Sequence, residues 1–123
     1  MYSFLSNISD RKYVDIPRNQ SFNVSSFSFS FSGTKFHQID VPELISAIRE
    51  HHAALVFVTN PNNPTGDILS REQIAEICKN VSEFCLVVVD EAYAEFSNTS
   101  CIDMIKDYPN LVVTRTFVRT FFP

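Results

Sequence analysis

Three apolar runs in this chain each end in polar side chains suited to holding a ring-shaped ligand. Leu55-Val-Phe-Val58 runs into Asn60 to Asn63, Leu86-Val-Val-Val89 into Asp90 and Tyr93, and Leu111-Val-Val113 into Thr114 and Thr116. A carboxylate facing a pyridine-type nitrogen keeps that nitrogen protonated, which makes the ring an electron sink. A phenol and an amide placed nearby can both hydrogen-bond an oxygen substituent on the same ring. Asp90, Tyr93 and Asn63 have the chemistry for these three roles. Each also has a plainer reading: Asp90 as a helix N-cap, Tyr93 as a packed aromatic, and Asn63 as a turn residue before proline.

Polar residues converge only if the elements carrying them run side by side. The apolar runs lack alternation, which fits strands buried on both faces in a parallel sheet covered by helices. Strands are expected at Ala54–Thr59, Cys85–Val89 and Leu111–Thr114. Asp40-Val-Pro-Glu43 reads as a capping box, followed by Leu44, Ile45 and Ile48 at helical spacing and a stop near His51. Ser70-Arg-Glu-Gln73 is a second box, followed by Ile74, Ile77, Cys78 and Val81. Cys101, Met104, Ile105 and Tyr108 form a third helical stripe, closed by Pro109. From residue 54 the order is strand, helix, strand, helix, strand, so parallel pairing is expected. Open α/β sheets place ligands beyond the carboxyl ends of their strands, where these polar residues cluster.

The rest of the chain sets bounds. At 123 residues there is room for one domain. A net charge of -4 with no clustered basic face argues against nucleic acid as a partner. Cys78, Cys85 and Cys101 lack metal-site spacing and read as buried thiols in a reducing compartment. No metal site is expected, and His37, His51 and His52 read as solvated. Without a signal-peptide pattern or a membrane-length apolar run, a soluble, cytoplasmic protein is expected. Leu86-Val-Val-Val-Asp-Glu91 also fits the magnesium-binding strand of nucleotide hydrolases. That reading needs a phosphate-binding loop, and neither Gly33 nor Gly66 is followed by Lys-Ser or Lys-Thr.

Near the amino terminus a short strand is expected around Tyr13–Ile16. In the Ser21–Phe36 segment, Phe27, Phe29 and Phe31 alternate with serines. It reads as a low-complexity surface insertion, or else as an amphipathic edge strand, and exposed it would be prone to aggregate.

Taken together, Asn60-Pro-Asn-Asn-Pro-Thr-Gly66, Val88-Val-Asp-Glu-Ala-Tyr93 and Thr114-Arg-Thr-Phe117 resemble the motifs of the pyridoxal-phosphate-dependent class I/II aminotransferases. Within that family the chain looks most like the histidinol-phosphate branch. The resemblance implies an α/β fold: a partial parallel-sheet α/β sandwich from the large domain of a type I pyridoxal-phosphate enzyme. It assigns Asn63 and Tyr93 to the phenolic oxygen of pyridoxal phosphate, Asp90 to the pyridine nitrogen and Thr116 to the phosphate. The implied partners are an amino donor such as histidinol phosphate, a 2-oxoacid such as 2-oxoglutarate, and a second subunit in a homodimer. Aromatic or other amino acids are the next candidates as donor.

The sequence departs from the family where the chemistry is most demanding. The family continues with Ser-Lys, whose lysine forms the Schiff base, whereas this chain has Val118 and Arg119. Arginine stays protonated and cannot act as the amine nucleophile. The expectation is an inactive piece of a large domain spanning residues 1–123. A non-catalytic binding or assembly role is the competing expectation.

Overall fold

The computed structural model describes residues 39–116. The expected strand at Tyr13–Ile16, the Ser/Phe segment at 21–36, His37, Val118 and Arg119 all lie outside the described residues.

Helix α1 spans Val41–Glu50 and starts where expected, with the Asp40 carboxylate accepting the Glu43 N–H at 3.0 Å. Strand β1 follows at Leu55–Thr59. Helix α2, Arg71–Val81, opens on a complete capping box. Ser70 Oγ accepts from the Gln73 amide at 3.2 Å, and the Gln73 side chain accepts from the Ser70 amide at 2.8 Å. Strands β2, Leu86–Asp90, and β3, Leu111–Thr114, complete a parallel sheet in the order β1-β2-β3.

The core lies between the two helices and one face of this sheet. Val41, Leu44, Ile45 and Ile48 of α1 join Ile74, Ile77, Cys78 and Val81 of α2 over Val58, Val87, Val89 and Leu111. Burying each of the larger aliphatic side chains contributes roughly 1.5–3 kcal/mol, so the amphipathic faces, more than helix propensity, hold α1 and α2 in place. Asn110, buried beside this core, joins α2 to the sheet. Its Nδ2 donates to the Cys78 carbonyl at 3.0 Å and the Cys85 carbonyl at 3.3 Å.

Two expectations need correction. Among the described residues the helices cover one face of the strands, and on the other Leu55, Phe57, Leu86 and Val112 are 45%, 39%, 46% and 40% exposed while Val88 between them is buried. The register pairs Leu55 with Leu86, and Phe57 with Val88 and then Val112, so these residues share the face opposite the helices. A run without alternation shows that both faces are apolar; it cannot show whether each is covered. The third helical stripe is also not an α-helix. Ile102–Lys106 is a 3₁₀ turn that buries Cys101 and Met104 and leaves Ile105 exposed. Three residues per turn eclipse Cys101 and Met104 and rotate Ile105 away from the core.

Candidate functional site

The carboxyl ends of the three strands are level with one another. Thr59 pairs with Asp90 and Asp90 with Thr114, and the ladder continues one step further, with the Glu91 amide donating to the Thr114 carbonyl at 2.8 Å. Side chains leaving the strands here therefore emerge along one line.

The loop after β1 is shaped by its own asparagines. Asn60 is buried; its Oδ1 accepts from the Leu69 amide at 2.8 Å, its Nδ2 donates to the Leu69 carbonyl at 3.3 Å, and its own amide reaches the Asp90 carbonyl at 2.9 Å. These bonds fasten the two ends of the loop to each other and its first residue to β2. Inside it, Thr59 Oγ1 donates to Asn62 Oδ1 at 2.6 Å, and Asn62 Nδ2 donates to Thr65 Oγ1 at 2.8 Å. Gly66 closes the turn at φ +75°, a left-handed conformation that suits glycine.

This loop carries Asn63 to the chain beyond β2, where its Nδ2 donates to the Tyr93 hydroxyl. The half-buried Tyr93 ring lies 6.3 Å from the Phe96 ring, centroid to centroid. Asp90 is half-buried at the end of β2, and its Oδ1 accepts from the Ala92 amide at 3.0 Å. Asp90 is not a helix N-cap: the next helical turn, Ala94–Phe96, starts after Tyr93, and the Asp90 carboxylate instead closes a turn onto the backbone two residues ahead. Thr116 is half-buried, two residues past Thr114. The structure joins Asn63 and Tyr93 by direct contact, and places Asp90 and Thr116 at the ends of adjacent strands.

Sequence reasoning passed over the Glu91 group. Glu91 is 1% exposed and accepts from the Cys101 amide at 2.6 Å, Ser100 Oγ at 2.9 Å, Arg115 Nε at 3.1 Å and Arg115 Nη2 at 2.8 Å. Arg115 Nη2 also donates to Ser100 Oγ at 2.7 Å. The available signal was an acid and a base in equivalent places, each one residue outside a predicted site residue. Asn60 was visible as the first polar residue after β1, but its buried bonds to Leu69 were not.

The three cysteines are free and buried, as expected, and His51 and His52 are exposed. Burial pushes the Cys78 and Cys101 thiols up to about 11, with the neighbouring Cys101 as the second cause for Cys78 and Glu91 as the second cause for Cys101. Thiols with so little thiolate at neutral pH are poor nucleophiles. Among the described residues no three His, Cys, Asp or Glu side chains are placed to hold a metal ion, and no helix is long and apolar enough to cross a membrane.

The three motifs on which the sequence resemblance rested thus lie at the carboxyl ends of three adjacent parallel strands. A family model, "Aminotransferase class I and II", matches residues 11–121, and the chain belongs to that family. Its relatives narrow the class. The histidinol-phosphate aminotransferase 2 of Archaeoglobus fulgidus is 38% identical over 116 residues, covering 91% of this chain and 32% of the relative. The histidinol-phosphate aminotransferase of Clostridium kluyveri is 46% identical over 78 residues, covering 63% and 22%. Among solved structures, the histidinol-phosphate aminotransferase of Clostridium acetobutylicum aligns with a TM-score of 0.64 at 29% identity, over 72% of this chain and 27% of that one. The Sinorhizobium meliloti enzyme in complex with pyridoxal-5'-phosphate aligns with a TM-score of 0.59 at 32% identity, over 67% and 23%. The chain thus spans a third or less of the length of these relatives.

Proposed function

We propose that this strand edge forms the ring-facing part of a pyridoxal-phosphate site, and that the chain by itself does not carry out amino transfer. The observation that carries the reading is the Asn63–Tyr93 hydrogen bond, made across 30 residues of sequence at the edge where Asp90 and Thr114 stand in register. The donor set fits the cofactor. Asp90 supplies a carboxylate for the ring nitrogen, and its neighbouring backbone bond to Ala92 fixes the orientation of one oxygen. Tyr93 and Asn63 serve the phenolic oxygen; by accepting from Asn63, the phenol is polarised as a donor in its turn. Thr116 offers a hydroxyl to the phosphate.

When bound, the cofactor supplies a protonated ring that accepts electrons from the substrate's α-carbon. The contribution of this chain is to bind the ring, orient it and hold the proton at its nitrogen. Proton transfer at the substrate carbon needs an amine, and Arg119 stands where the family has its lysine. The amino donor we assign is histidinol phosphate, with a 2-oxoacid such as 2-oxoglutarate as acceptor, in a homodimeric, cytoplasmic enzyme. Histidinol phosphate rests on the names of the relatives; the 2-oxoacid and the homodimer rest on the motif resemblance to the family, and the location on the reading of the sequence alone.

Incubation with pyridoxal phosphate, borohydride reduction and peptide mass spectrometry tests the reading. The expected result is reversible binding that Asp90→Asn weakens, pyridoxyl groups only on exposed lysines such as Lys79 and Lys106 and independent of Asp90, and no amino-group turnover. Absence of binding would overturn the site, and turnover with a modified lysine would overturn the inactivity.

The open sheet face favours a second reading. Leu55, Leu86 and Val112 offer an apolar surface suited to a non-catalytic assembly role. Size-exclusion chromatography of the chain would support it by a discrete complex and refute it by a monomer.

A further inference from the structure

Glu91 is the buried acid among the described residues, and the proposed cofactor contacts make no use of it. Its four hydrogen-bond donors come from three places: Ser100, the Cys101 amide and the Arg115 guanidinium. These contacts bear on the site through sequence adjacency. Glu91 follows Asp90 directly, and Arg115 precedes Thr116 directly. Ser100 and Cys101 close the segment that begins at Glu91 and carries Tyr93. One carboxylate therefore ties together the three chain segments that present Asp90, Tyr93 and Thr116.

We propose that Glu91 and Arg115 form a positioning clamp that sets the spacing between the Asp90 carboxylate and the Thr116 hydroxyl. The clamp would make the edge select a ligand carrying both a pyridine ring and a phosphate ester over a ligand with the ring alone. The selection half rests on the cofactor reading above; the clamp itself rests on geometry. Planar guanidinium geometry matters here, because Arg115 delivers Nε and Nη2 to the same oxygen and Nη2 also to Ser100. Every contact to Glu91 is a donor, so Glu91→Gln turns an amide NH₂ toward donors and breaks the clamp with almost no change of volume. Arg115→Lys keeps the charge and loses the fork.

Two measurements on the full chain decide the matter. In amide hydrogen exchange, Glu91→Gln should speed exchange at least ten-fold at Ala92, whose N–H is held by Asp90, and at residue 91, whose N–H is held by Thr114. The Val87 and Ile74 amides, bonded to Asn110 and Ser70, should keep their wild-type rates. Arg115→Lys should give the same pattern at smaller amplitude. Faster exchange at Cys101 alone would reduce Glu91 to a loop staple, and uniform acceleration in both variants would reduce the pair to general stability; either overturns the proposal.

The second measurement is titration with pyridoxine 5'-phosphate, pyridoxine and inorganic phosphate, ligands that lack the aldehyde and so leave lysines unmodified. The wild-type preference for pyridoxine 5'-phosphate over pyridoxine should fall at least five-fold in Glu91→Gln, with pyridoxine affinity changing less than two-fold. An unchanged preference overturns the selection role. If the wild-type chain binds none of the three, the cofactor reading falls and takes selection with it, and the exchange pattern alone decides the clamp.

Discussion

The helix-covered face of the sheet and its carboxyl edge are built from different materials. On the covered face the side chains of Ile74, Ile77, Val81, Val87 and Val89 are fully buried and pack without directional contacts. At the edge, a few buried polar groups, Asn60 and Glu91 foremost, hold loops in place by hydrogen bonds of defined length. Apolar burial is non-directional and tolerates exchange of similar shapes. Polar burial is unforgiving, because a lost partner leaves a desolvated group behind. The face supplies stability, and the edge uses part of it to fix atoms in space.

The largest test of that division is Ile77→Ala. Truncation at a fully buried site should cost about 2–5 kcal/mol, seen as a lower midpoint in urea unfolding followed by circular dichroism. An effect within about 0.5 kcal/mol would mean that α2 is not docked as described.

Next in size is a dependence on alkaline pH. Cys78 and Cys101 hold their protons more tightly when folded, near 11 against an ordinary 9.0, because the thiolate is disfavoured by burial. The folded state therefore keeps its full advantage below about pH 9 and loses it as pH climbs toward about 11, on the order of 2–4 kcal/mol for the pair once the two full shifts are reduced for solvent screening. Urea midpoints measured from pH 7 to pH 11 should decline over that window, and the decline should shrink in a Cys78→Ala/Cys101→Ala chain. An equal decline in both chains would show that the thiols are not its source.

At the edge, Asn60→Ala strands the Leu69 amide and carbonyl and should cost about 1–3 kcal/mol. The smallest effect on folding belongs to Tyr93→Phe, within about 0.5 kcal/mol, because its hydroxyl serves Asn63 at a partly exposed place. Its weight should fall on pyridoxine 5'-phosphate binding instead, read by titration. A large loss of stability without loss of binding would move Tyr93 from the edge to the scaffold.

The sequence announced most of the scaffold because the scaffold is local. Ser70 and Gln73 lie one turn apart, and Ile74, Ile77, Cys78 and Val81 repeat at one period, so cap and buried stripe are both readable in an eleven-residue helix. Strand limits came out within a residue, since each apolar run stops at a polar one. Long-range matters were less legible. Nothing local distinguishes Leu86, exposed, from Val87, buried, because that depends on which face the helices occupy. The helical spacing of Cys101, Met104 and Ile105 is also compatible with a 3₁₀ turn, and only packing chose between them. At the candidate site, the positions of Asn63, Asp90 and Tyr93 after the strands were legible in the sequence, while the Glu91–Arg115 pairing joins residues 24 apart and had to be seen in space.

The level endings of Thr59, Asp90 and Thr114 carry one further consequence. Neighbouring strands lie roughly 4.8 Å apart, so three exits in a row make a ruler about 10 Å long, marked at two equal intervals. A flat molecule laid across it meets a different stretch of the gene at each mark. A substitution at one exit acts first on the grip at one end of such a molecule, and reaches the other end only through the bonds that tie the exits together. Such an edge can be revised in parts over generations, one mark at a time, without being redrawn.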